Sequence, residues 1–149
     1  MRDLPPDHGE ERRAWSLRLL LRCSAVLLAF AFPAALLPTP WMAAVHEWLG
    51  LGQFPATPIV DYLTRSISLL YGVHGVLLFV LARDVRRYAP VIRYVGGLSI
   101  AFGLAMLAVD LHAGFPPAWA LCEGPPVAAL GGMVLWLARG ADQLPPAPA

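Results

Sequence analysis

Four apolar stretches, separated by short polar joins, dominate the pattern of hydrophobic and polar positions along the chain. A helix needs about 20 apolar residues to cross the hydrocarbon core of a bilayer, and each stretch reaches that length. The pattern therefore predicts an all-α integral membrane protein, a four-helix transmembrane bundle that forms one membrane domain over residues 1–149. The predicted transmembrane helices are 17–37, 58–83, 90–112 and 118–139.

The join between the first and second predicted spans has a helical pattern of its own. The pair Thr39-Pro40 is typical of the start of a helix, and Trp41, Val45 and Trp48 then recur on one face. We expect a short helix over residues 40–50 that lies in the extracytoplasmic interface of the membrane, anchored by its tryptophans.

Polar and proline-rich ends predict disordered tails at residues 1–14 and 140–149. Proline also interrupts two of the spans. Pro33 predicts a kink near the end of the first span, because its nitrogen cannot donate to a helical carbonyl. Pro125 and Pro126 have the same effect in the fourth span, where the helix either continues with two unbonded carbonyls or begins only at Pro125.

Basic residues are distributed unevenly between the two ends of the predicted spans. The joins after the first and third spans contain none, and the eleventh basic residue, Arg65, lies within a span. Because cytoplasmic loops retain basic residues, this asymmetry predicts a multi-pass protein of the cell inner membrane with both termini in the cytoplasm. The ten residues that carry this prediction are Arg2, Arg12, Arg13, Arg18, Arg22, Arg83, Arg86, Arg87, Arg93 and Arg139.

Four ionisable residues fall in the outer half of the predicted spans, where charge is costly and often functional. They are Asp61 and Arg65 on the second span, Asp110 on the third and Glu123 on the fourth. The spacing of four residues predicts an ion pair between Asp61 and Arg65. Together with His112, these residues predict a polar pocket that opens to the outside. The alternative is that they only pin the helices together.

Small and polar residues form a stripe on each of two spans. Lipid-facing positions rarely need such residues, whereas contacts between transmembrane helices do. We therefore expect both stripes to face the interior of the bundle. The stripe on the second span is Asp61, Arg65, Ser68, Gly72 and Gly75, and the stripe on the third is Gly96, Ser99, Gly103 and Asp110.

Three further residues are secondary candidates. His74 lies near the middle of the second span, about 180° around the helix from Arg65, and no second histidine lies at its depth for haem ligation. His46 and Glu47 lie on the short helix, without the ligand spacing of a closed zinc site. We expect no bound metal and no cofactor, and we find no complete catalytic set.

Three functional classes remain open. The first is a non-catalytic partner or assembly subunit of a larger membrane complex, which the short joins and small size favour. The second is a small oligomeric transporter or ion-conducting subunit with an outward-facing polar pocket. The third is a membrane enzyme that acts on a lipid-like substrate, with Asp110 and Glu123 as acid and base. The expected partners are the lipid bilayer and either a membrane-protein partner or further copies of the chain. Nucleic acid is not expected, because the net charge is only +1.

Overall fold

A computed structural model describes residues 8–48, 50, 52–55 and 57–139. Within them the chain forms α1 (His8–Ala29), α2 (Phe32–Leu36), α3 (Thr39–Trp48), α4 (Pro58–Leu81), α5 (Ala89–Ala113) and α6 (Pro117–Leu137). Four stretches are long and apolar enough to cross a membrane, and the prediction of an all-helical, multi-pass membrane protein is confirmed to that extent. These stretches are Gly9–Leu36, Pro58–Leu81, Ala89–Ala113 and Pro117–Leu137.

The first helix begins well before its apolar stretch. Since α1 starts at His8, the prediction of a disordered tail is wrong for residues 8–14. Two glutamates occupy the first turn, where the helix dipole stabilises acidic side chains. Leu17 is fully buried, so packing extends to this part of the helix. The disorder predicted for residues 1–7 and 140–149 concerns positions outside the described part of the chain.

Proline has different effects in the two regions that it enters. α1 ends at Ala29 and α2 begins at Phe32, so the helix is interrupted just before Pro33, as predicted. The nitrogen of Pro33 cannot donate to the carbonyl of Ala29, which explains the break. By contrast, α6 continues through Pro125 and Pro126, and the alternative in which this helix begins at Pro125 is wrong.

The described chain divides into two compact units. The α5–α6 unit contains residues 8–20 and 81–139, and the α2–α4 unit contains residues 21–80. The helix α1 therefore contributes its first part to one unit and its second part to the other.

Within the α5–α6 unit, α5 and α6 are antiparallel and approach each other to backbone contact. Gly96 faces Gly131 and Gly103 faces Gly124, and a Cβ added at Gly131 would lie 2.5 Å from the carbonyl oxygen of Gly96. This approach requires positions without side chains, so the inward orientation predicted for Gly96 and Gly103 is confirmed. Gly114 ends α5 with φ 76°, and its left-handed backbone turns the chain into α6.

Within the α2–α4 unit, α4 packs its small residues against α1 and α2. A Cβ on Gly72 would lie 2.5 Å from the ring of Phe32, and one on Gly75 would lie 2.8 Å from the carbonyl oxygen of Ala25. Ser68 lies on the same face and is 7% exposed. The predicted inward orientation is therefore confirmed for Ser68, Gly72 and Gly75.

Candidate functional site

The predicted ion pair forms on the first turns of α4. Arg65 Nε donates to Asp61 Oδ2 at 2.9 Å, and Arg65 Nη2 approaches Asp61 Oδ1 at 3.2 Å. The two side chains are only 29% and 33% exposed, respectively. The spacing of four residues on a regular helix produces this contact, because it places both side chains on one face.

Two other elements complete this pair. Arg65 Nη1 donates to the carbonyl oxygen of Ala35 at 2.8 Å, and Thr39 Oγ1 donates to Asp61 Oδ1 at 2.9 Å. Ala35 lies in the last turn of α2, where carbonyls have no donor within the helix. Arg65 supplies that donor. We call Ala35, Thr39, Asp61 and Arg65 the polar clamp, because they join α2 and the start of α3 to α4.

Every charged nitrogen and oxygen of the polar clamp takes part in a hydrogen bond. All three guanidinium nitrogens of Arg65 donate, and both carboxylate oxygens of Asp61 accept. A cation held in this way holds secondary structure elements together, and it is not presented to a ligand. This geometry matches the alternative in which these two residues pin helices together.

Asp110 is in a contrasting environment in the α5–α6 unit. It is 3% exposed, and its Oδ2 has no hydrogen-bond partner among the described residues. The contacts of Gly96 with Gly131 and of Gly103 with Gly124 are seven residues apart on each helix. A further seven residues along α5 from Gly103, and seven back along α6 from Gly124, place Asp110 opposite Pro117.

The start of α6 offers few backbone donors to Oδ2 of this carboxyl. Pro116 and Pro117 have no N–H, so the first turn of α6 lacks two of the donors that a helix usually offers there. The N–H groups of Gly114 and Phe115 donate instead to the main-chain carbonyl of Asp110. The side chain is left without them.

Glu123 has a partner on its own helix. Its Oε2 accepts from Trp119 Nε1 at 2.6 Å, four residues earlier on α6. The next turn contains Pro125 and Pro126, which cannot donate to the carbonyls of Leu121 and Cys122. α6 thus carries a carboxylate and two carbonyls with no helical donor within one turn.

The predicted polar pocket draws on both units. Asp61 and Arg65 belong to the α2–α4 unit, whereas Asp110, His112 and Glu123 belong to the α5–α6 unit. Within the latter, His112 is exposed and lies about 200° around α5 from the buried Asp110, so the two side chains are not on one face. A pocket that combines all five residues stays a prediction.

The secondary candidates are dispersed in the structure. His46 Nδ1 donates to the carbonyl of Gly52 at 3.0 Å, and its ring packs edge-on against Phe54. Glu47 is exposed, and His74 is partly buried in the middle of α4. Over the described ranges, no three His, Cys, Asp or Glu side chains are grouped so that they could hold a metal ion.

Sequence reasoning missed the partners of the α5 stripe. Gly124 and Gly131 on α6 are the residues that Gly103 and Gly96 contact. The sequence did contain a signal for this contact. Gly124 and Gly131 are seven residues apart, as Gly96 and Gly103 are, and this spacing places small residues on one face of each helix. The contact of the Arg13 guanidinium with the ring of Trp136, at 5.7 Å, had no comparable signal in the sequence.

The chain matches no protein-family model, and comparisons with curated proteins and with solved structures found no similar protein.

Proposed function

We propose that the protein is a non-catalytic subunit or assembly partner of a larger membrane complex. The observation that carries this proposal is an open face of small residues on α5, which consists of Gly97, Ala101 and Ala105. Ala101 and Ala105 are exposed, and a Cβ added at Gly97 would meet nothing within 4 Å. The three residues follow one another at intervals of four, so they lie on one ridge of the helix.

Small residues at such intervals let the backbone of a second helix approach closely. The opposite face of α5 shows the effect, because Gly96 and Gly103 already contact α6 there. Lipid chains need no such ridge. The open face therefore supports a transmembrane helix of a partner subunit as its occupant.

The polar clamp supports the same proposal. Its charges hold α2, α3 and α4 together within their own unit, which suits a structural subunit better than a site that offers charge to a ligand. The proposed occupant of the open face is a different protein, and assembly of identical copies is the alternative outcome.

We also propose the orientation in the cell inner membrane. Both termini lie in the cytoplasm, and α3 lies on the extracytoplasmic surface. The arginine distribution supports both sides of this orientation, and the exposed Trp41 and Trp48 support the position of α3 at a membrane surface. Reporter fusions after Pro90 and Ala149 should be active in the cytoplasm and fusions at Gln53 outside it. The opposite pattern contradicts the orientation.

The proposed function is tested by native mass spectrometry of the protein extracted gently from its own membranes. We expect a second protein at fixed stoichiometry. Gly97→Leu should release that protein without lowering the thermal stability of the chain. Gly132→Leu is the matched control, since Gly132 on α6 also has nothing within 4 Å of an added Cβ.

Two results would contradict the proposal. One is a chain that is monomeric, or associated only with its own copies, under mild extraction. The other is a partner that remains bound to Gly97→Leu and to Gly132→Leu alike.

A second candidate function is a small oligomeric transporter or ion-conducting subunit. The unpartnered Oδ2 of Asp110 favours it, because unsatisfied carboxylates inside membranes commonly mark ion or proton paths. In this case Asp110→Asn and Glu123→Gln would abolish uptake or conductance in proteoliposomes while the protein stays folded. Unchanged transport in both variants would exclude this function for these residues.

A further inference from the structure

One end of the α5–α6 unit is strongly basic. α5 begins and α6 ends there, and the Arg13–Trp136 contact brings α1 to the same end. The described carboxylates at this end are Glu10, Glu11 and Asp84, of which Asp84 Oδ1 accepts from the backbone N–H of Arg87 at 3.0 Å. The arginines that we call the basic end are Arg13, Arg83, Arg86, Arg87, Arg93 and Arg139.

Arg86 distinguishes this end from a merely solvated charge cluster. Its Nη1 is buried and donates to no acceptor within the described residues. A buried charged donor without an acceptor is costly, because the water that it loses is not replaced. An acceptor that reached Nη1 would remove this cost.

Aromatic side chains mark the depth of this end. Trp15, Tyr94 and Trp136 come from three helices and are 64%, 67% and 53% exposed. Exposed tryptophan and tyrosine concentrate at the level of lipid headgroups. The basic end thus lies at the depth where the phosphate groups of phospholipids lie.

We propose that the basic end binds the phosphate of an anionic phospholipid, with Arg86 Nη1 as the buried donor and Arg13 held in place by Trp136. Guanidinium groups bind phosphate oxygens with paired hydrogen bonds, and basic pockets between transmembrane helices recognise anionic headgroups in this way. Arginines that only fix the orientation of the protein in the membrane need nothing more than a position on the cytoplasmic side. A buried donor without an acceptor goes beyond that requirement.

The test uses the full-length protein in a neutral detergent, so that no lipid surface contributes to binding. Phosphatidylglycerol and phosphatidylcholine with identical acyl chains are titrated separately, and native mass spectrometry counts the lipids that stay bound. We expect a phosphatidylglycerol adduct at concentrations where phosphatidylcholine leaves none. Arg86→Gln should weaken that adduct about fivefold, which corresponds to about 1 kcal/mol for one arginine.

Two further variants sharpen this measurement. Arg86→Lys keeps the charge without the planar fork, so we expect an intermediate loss. Arg12→Gln is the matched control, since Arg12 is exposed and lies about 160° around α1 from the buried Ala14. It should change binding less than twofold. If Arg86→Gln does not fold, Arg13→Gln serves in its place, with the same expected fivefold loss.

Equal binding of the two lipids would overturn the proposal. So would equal binding by Arg86→Gln and Arg12→Gln. The thermal stability of the protein is also measured with inorganic phosphate and with phosphatidylglycerol. Equal stabilisation by the two would show a phosphate site without lipid recognition. Release of an acidic protein by Arg86→Gln, with lipid adducts unchanged, would assign the basic end to that protein instead.

Discussion

The two units of this protein use different means to hold transmembrane helices together. In the α5–α6 unit, Gly96, Gly103, Gly124 and Gly131 bring two backbones into contact, and Oδ2 of the buried Asp110 has no hydrogen-bond partner among the described residues. In the α2–α4 unit, Gly72 lies against the ring of Phe32 and Gly75 against the backbone of α1, and the polar clamp adds five hydrogen bonds. Close packing alone holds α5 against α6, whereas packing and the charges of the polar clamp together hold α2, α3 and α4.

This difference shows that burial and pairing of a charge are separate properties in a membrane protein. Asp110 is far more buried than Asp61, yet its Oδ2 has no hydrogen-bond partner among the described residues, whereas both carboxylate oxygens of Asp61 accept hydrogen bonds. Close packing of glycines can therefore bury a carboxyl without providing a partner for it. Since apolar lipid gives little drive for helices to associate, van der Waals contact between backbones carries more of the stability in the α5–α6 unit.

The largest expected effect is that of Gly103→Leu. A Cβ at this position would overlap the carbonyl oxygen of Gly124 and lie 2.6 Å from the nitrogen of Ala128, so the helices must separate. We expect a loss of at least about 3 kcal/mol of stability, measured by thermal unfolding in detergent. The control is Gly72→Ala, whose Cβ would meet the ring of Phe32, a side chain that can move. It should cost about 1 kcal/mol. Equal effects of the two substitutions would remove the distinction between the units.

Arg65→Gln should have the next largest effect. It removes the guanidinium donors from both Asp61 and the carbonyl of Ala35, so α2 and α3 lose their link to α4. We expect a lower unfolding temperature than that of the unmodified protein. The double variant with Asp61→Asn should be less unstable than the two single effects combined, because the two residues interact. If the loss of stability in the double variant equals the sum of the two single losses, Asp61 and Arg65 do not stabilise the protein through their interaction.

The smallest and opposite effect is expected for Asp110→Leu. The substitution removes a buried oxygen that has no partner among the described residues, so the α5–α6 unit should gain about 1–3 kcal/mol of stability. Thermal unfolding measures the change, and Asp61→Leu is the control, since it removes a carboxylate that has partners and should destabilise the protein. Destabilisation by Asp110→Leu would show that this carboxyl has a partner outside the described residues.

The sequence predicted the features that depend on local spacing. The Asp61–Arg65 pair follows from four-residue spacing on a helix, and the break before Pro33 follows from its missing N–H. The lengths of α4, α5 and α6 follow from their apolar stretches. In each case the cause lies within a few residues of its effect.

Features that depend on contacts between distant residues were not predictable in this way. The polar clamp needs the carbonyl of Ala35, which is 30 residues from Arg65. α1 starts at His8 although residues 9–13 are mostly exposed, and hydropathy does not record such a polar start of a helix. The hydrogen bond of Glu123 to Trp119 is one of several local options for a glutamate, so the sequence did not predict it.

The α5–α6 unit is discontinuous in the chain, and this has a consequence for biosynthesis. Residues 8–20 are synthesised before their neighbours in the unit, which begin at residue 81, after the 60 residues of 21–80. At ribosomal rates of 5–20 residues per second, the start of α1 waits roughly 3–12 s for these neighbours. A chain that terminates before α5 would display the apolar surface around Leu17, and quality-control proteases of the membrane would have a signal that distinguishes incomplete chains from finished ones.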